Sequence, residues 1–92
     1  MISFKNSINM ITKIAIGPAE LSEQNIFILN NIDVLTGNLK FKEVSGARDK
    51  KYIIIVCKLQ MTNRKLNKLK KTIKSLLQVD DVRCQVEPEE KY

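Results

Sequence analysis

The sequence predicts one α+β domain with the element order βαββαβ, and three stretches in its second half carry most of that prediction. Residues 52–57, Tyr-Ile-Ile-Ile-Val-Cys, are an unbroken apolar run of strand length, rich in β-branched side chains. Leu66, Leu69, Ile73, Leu76 and Leu77 then recur at helical spacing, and Val82, Cys84 and Val86 alternate as a strand does. A strand that is apolar on both phases has to be covered on both faces, whereas the single helix layer available to 92 residues covers one. The other face is expected to meet a partner, and an aspartate at Ile54 is expected to leave a buried, unpaired charge.

The remaining elements follow in chain order. Residues 1–7 read as a polar-leaning, flexible leader. Met10, Thr12, Ile14 and Ile16 share one phase of a first strand, with Ile11, Lys13 and Ala15 on the other, and Gly17-Pro18 ends it. Proline suits a first helical turn and Ser22 is an N-cap residue, so the first helix starts between 18 and 22, with Leu21, Ile26 and Leu29 as its core side and Phe27 as a further candidate, while Ile26-Phe27-Ile28-Leu29 also has the propensity of a strand. Residues 34–44 read as extended, interrupted at Gly37-Asn38, with Leu39 and Phe41 on one face and Lys40 and Lys42 on the other. Lysines of that kind suit a sheet edge. Residues 45–49 hold the turn chemistry of a hairpin ahead of the apolar run. Thr62 is the expected N-cap of a second helix reaching about Gln78, Asp80-Asp81 turns the chain, residues 82–86 form the last strand, and the polar residues beyond it read as a mobile tail.

This order is the ferredoxin-like arrangement: a four-stranded antiparallel sheet of order 4-1-3-2 with both helices on one face. It spans 8–87, with 1–7 and 88–92 as flexible ends. The long apolar strand becomes central, and the segments around Phe41 and Val82 become edges. Cys57 and Cys84 then lie on strands that are not neighbours, roughly two spacings of ~4.8 Å apart, too far for a disulfide.

Composition narrows the chemistry. The chain has no histidine, so it lacks the usual neutral-pH base and the commonest transition-metal ligand. Its two cysteines are isolated, Gly37 and Gly46 belong to no phosphate-loop pattern, and Asp80-Asp81 suits a solvated turn better than a catalytic pair. A non-enzymatic, cytoplasmic protein without cofactor, metal or membrane span is expected. Net charge is +6, with Arg64, Lys65, Lys68, Lys70, Lys71 and Lys74 in one stretch free of acids and the carboxylates gathered in the tail. Lys68, Lys71 and Lys74 either solvate their helix or contact an acidic surface. An RNA-binding sheet would need aromatics on both central strands, and Tyr52 is the only one there.

The pattern resembles the ACT domain family, in particular the short regulatory subunits of acetolactate synthase. The resemblance rests on Asn30-Asn31-Ile32-Asp33-Val34-Leu35 between first helix and second strand, on the rhythm Lys65-Leu66-Asn67-Lys68-Leu69 with Ile73, Leu76 and Leu77, and on Val79-Asp80-Asp81-Val82 before the last strand. It implies a regulatory, self-associating domain that senses an amino-acid-like ligand through Gly17, Pro18 and Asn31, with a catalytic subunit as a partner. The loop reads Gly17-Pro18 where the family commonly reads Pro-Gly. The alternative is a basic ferredoxin-like protein that binds RNA or a ribonucleoprotein surface. Small size and a two-faced apolar strand favour a symmetric homodimer, formed by continuing the sheet through the edge at residues 39–44 or by stacking open sheet faces.

Overall fold

A computed structural model describes residues 9–35 and 39–89. The leader at 1–7, the Gly37-Asn38 interruption and the last three residues lie outside the described part. The elements are β1 (Met10–Gly17), α1 (Glu23–Asn30), β2 (Leu39–Ser45), a 3-10 turn (Ala47–Asp49), β3 (Lys51–Cys57), α2 (Asn63–Leu77) and β4 (Asp81–Pro88). The four strands form one antiparallel sheet of order β2-β3-β1-β4, which is the ferredoxin-like order read from its other edge.

Pairing fixes which phase of each strand meets the helices. Thr12, Ile14 and Ile16 of β1 stand opposite Cys57, Ile55 and Ile53 of β3 on one side and opposite Val86, Cys84 and Val82 of β4 on the other. That layer closes over Leu29 of α1 and Leu66, Leu69 and Ile73 of α2, and Ile14, Ile16, Leu29, Ile53, Ile55, Leu69 and Ile73 are fully buried. Ile54 lies on the opposite phase and is only half-buried, so the burial expected at Ile54 belongs to Ile53 and Ile55 instead. β1 runs between Cys57 and Cys84, and both are free thiols.

Local signals set the helix ends. The Ser22 hydroxyl accepts from the Asn25 N–H at 3.1 Å and Thr62 accepts from Lys65 at 3.3 Å, so each helix begins where its cap satisfies an orphan donor. α2 stops at Gln78, which takes the left-handed conformation at φ 54°. α1 turns Leu29 inward but leaves Phe27 69% exposed, because eight residues offer one short stripe and Phe27 falls outside it. Two boundaries differ from expectation. Residues 33–35 form a turn and bend, not a strand, and carry the buried Leu35 under the core through a bond from its N–H to the Ile32 carbonyl at 2.9 Å. At the other end β4 continues through Pro88, and the Glu89 N–H donates to the Asn9 carbonyl at 2.8 Å, so Glu87, Pro88 and Glu89 are tied to β1 and are not part of a free tail.

Candidate functional site

The residues that point away from the helices make up the sheet's open face. Register places Val44 beside Tyr52, then Lys42, Ile54, Ala15 and Arg83 in one row, and Lys40, Val56, Lys13 and Gln85 in the next. The centre is apolar: Val44, Tyr52, Ile54, Val56 and Ala15 are half-buried although no layer lies over them. Their partial cover comes from their neighbours, since Val56 stands between Lys40 and Lys13 and lysine stems lie along apolar surface while the amines stay in water. Lys13, Lys40, Lys42 and Arg83 are exposed around this centre. A groove of about 560 Å³ runs through it, lined by Lys13, Lys40, Phe41, Lys42, Val44, Ile54 and Val56.

The charges on this face are unevenly matched. Arg83 is held by Asp81 at 2.7 Å and Lys13 by Glu87 at 3.8 Å, both on the β4 side. On the β2 side Lys40 and Lys42 make no ion pair among the described residues. The groove therefore offers an apolar floor with two uncommitted cations at one wall. Such a surface suits a partner that brings apolar side chains and carboxylates together.

Tyr52 is fixed in place. A Cβ added to Gly17 would fall 2.7 Å from its Cε2, and one added to Gly46 would fall 2.8 Å from its Cε1, so the ring needs a glycine on either side. Gly17 thus has a packing role at the end of β1, where it pairs with Asp81. Pro18 is exposed and lines a shallow cleft of about 300 Å³ with Ala19, Glu20, Asp49 and Lys51. Asn31 does not share that cleft. It lies beyond the far end of eight-residue α1, about 12 Å of helix from the Ser22 cap, and its amide nitrogen donates to the Phe27 carbonyl at 2.7 Å. Within one protomer the three positions implied by the resemblance do not converge.

Lys68, Lys71 and Lys74 are all exposed on the outer side of α2 and join no ion pair among the described residues. They lie on the helix layer, the side of the sheet opposite the groove. Lys70 is half-buried and favours the thiolate of Cys84, but burial outweighs it and pushes that thiol above its ordinary value. Among the described residues no three His, Cys, Asp or Glu side chains gather where a metal ion could sit, and no helix is long and apolar enough to cross a membrane. The groove was hidden from sequence reasoning, which reads Lys40 and Lys42 as edge protection and Lys13 only as one residue of the first strand's second phase. The available signal was that Lys13, Lys40 and Lys42 share the phase of Ile54 and Val56 once the strands are in register. No protein-family model, curated protein or solved structure matches the chain, so the face has to be understood from its own residues.

Proposed function

We propose that this is a non-catalytic, self-associating domain that presents its open sheet face to an acidic protein surface, as a regulatory or accessory subunit does to a catalytic one. The observation that carries the reading is the uncovered apolar floor of Val44, Ile54 and Val56 beside the unpaired Lys40 and Lys42. Aliphatic side chains favour apolar protein anchors over nucleobases, and the lysines select for neighbouring carboxylates. A sequence without histidine supports the non-catalytic part, and a cytoplasmic setting suits two free thiols. The separation of Pro18 from Asn31 gives an amino-acid ligand no common pocket within one protomer, so sensing is left out of the proposal.

One observation favours the RNA alternative: Tyr52 lies on the open face of a central strand, with Arg83 lining the same cleft and Lys42 one same-face step away in the register. Amide chemical shifts can separate the two readings. A short glutamate-rich peptide with interspersed leucines is expected to move the amides of Tyr52, Ile54 and Val56, and Lys40→Glu with Lys42→Glu to abolish the shifts. If a uridine oligonucleotide moves them and the peptide does not, the RNA reading replaces this one. If neither does, the open face is not a binding surface of either kind.

A further inference from the structure

We infer that the self-association proposed above runs through the free edge of β4, in a two-fold antiparallel pairing centred on Gln85 that joins two sheets into one of eight strands. The bond from the Glu89 N–H to the Asn9 carbonyl sets the alternation along β4: odd-numbered residues aim their N–H at β1 and even-numbered ones aim outward. Val82, Cys84 and Val86 therefore offer free backbone groups at the edge. Pro88 stands where the next outward N–H would be, and its missing donor ends the edge there.

The side chains of β4 complement one another about Gln85. With the two-fold axis there, Arg83 of one copy meets Glu87 of the other on the open face, twice over by symmetry, and Cys84 meets Val86 on the helix face. Cys84 and Val86 are partly buried hydrophobics already packed on the core, so the pairing continues the apolar layer across the junction. Glu87 keeps its own Lys13 and Arg83 its own Asp81, which gives an alternating row Lys13, Glu87, Arg83, Asp81 across the junction. Asp81 then comes opposite Glu89, a like pair in which each acid already has a cation, Arg83 and Lys58.

Other registers do worse. An axis at Arg83 sets arginine on arginine, one at Cys84 sets Asp81 on Glu87 with no Arg83–Glu87 contact to offset it, and one at Val86 brings Pro88, which lacks an N–H, against Cys84 beside the axis, whereas the Gln85 register keeps both bonds of each Cys84–Val86 pair and meets Pro88 only at its outer end, opposite Val82. The β2 edge fails on charge, because an axis at Phe41 places Lys40 against Lys42 twice and an axis at Glu43 sets that acid on itself. The cost of the β4 junction lies on the helix side, where Lys70, near Cys84, is carried toward its symmetry mate; a Debye length of ~8 Å at physiological ionic strength damps that repulsion. Both open faces end up on the same side of the joined sheet, so the two grooves form one platform for a partner.

The inference rests on self-association, and the experiment separates the two. Gln85 on the two-fold axis is a non-hydrogen-bonded position, where facing Cα atoms are ~4.5 Å apart, within reach of a disulfide. Gln85→Cys, in a Cys84→Ala background, is expected to become a covalent dimer under mild oxidation at micromolar concentration, while Lys42→Cys on the β2 edge stays monomeric. Arg83→Glu is expected to weaken the dimer on the order of tenfold, through two symmetry-related pairs, and adding Glu87→Arg to restore it. A native protein that sediments as a dimer without Gln85→Cys cross-linking, or with Lys42→Cys cross-linking in its place, overturns the β4 junction and leaves self-association standing. A native protein that sediments as a monomer overturns both.

Discussion

Thr12 is the one buried polar side chain of the core among the described residues, and it is satisfied on both counts. Its hydroxyl donates to the Leu59 carbonyl at 2.6 Å and accepts from the Met61 N–H at 3.3 Å, which ties β1 to the loop that leads from β3 into α2. Thr12→Val keeps the shape and leaves both backbone groups unpartnered, so a loss of about 1–3 kcal/mol is expected from urea unfolding, with Thr12→Ser losing much less. The strand phase of Thr12 is legible in the sequence, but its partners lie 47 and 49 positions away and no local pattern points to them. Gly17 carries a similar lesson. The Gly17-Pro18 pair reads as a strand stop or a ligand loop, whereas its closest constraint is the ring of Tyr52. Gly17→Ala is expected to cost about 1–3 kcal/mol through overpacking, and the loss should shrink in a Tyr52→Leu background, a coupling that a double-mutant cycle reads directly.

At the scale of elements, the parts with their own boundary signals were the legible ones. α2 has a lysine-rich exterior, a leucine stripe and a threonine cap, and it falls at Asn63–Leu77 as its pattern indicates. α1 and the segment after it carry no such periodicity; Phe27 faces water and Leu35 enters the core from a bend, because packing over the sheet decides their places more than local preference does. Two turns hold non-glycine residues in the left-handed region, Arg48 at φ 62° with Asp49 at φ 60° in one and Gln78 at φ 54° in the other. Glycine adopts that backbone without steric cost, so Arg48→Gly and Gln78→Gly are each expected to raise stability by about 0.5–1 kcal/mol in thermal or urea unfolding. For the exposed face of α2, replacing Lys68, Lys71 and Lys74 together by glutamine should change stability by less than about 1 kcal/mol per site. If the open sheet face is the binding surface, peptide binding should survive that change as well.

For the whole molecule, the decisive property is a sheet with one covered face and one open face, and the apolar run of β3 encodes both. Ile53, Ile55 and Cys57 belong to the core, while Tyr52, Ile54 and Val56 belong to the open face, the last two lining its groove. The sequence made clear that both phases were apolar and that one would lack cover, but not which phase, since that depends on the register with β1 and on where the helices pack. The proposed pairing along an edge would leave this face free, so a second copy and a partner on the groove would not compete for the same surface. Aspartate substitutions on adjacent residues divide the two faces. Ile55→Asp is expected to cost several kcal/mol, the scale of a small domain's entire stability, and to unfold the chain. Ile54→Asp is expected to melt cooperatively close to the native protein. The most direct test is a titration of the folded Ile54→Asp variant with the glutamate-rich, leucine-bearing peptide: loss of binding with the fold intact is the expected result, and binding at native affinity, or a variant as unfolded as Ile55→Asp, would contradict an open face built for a partner.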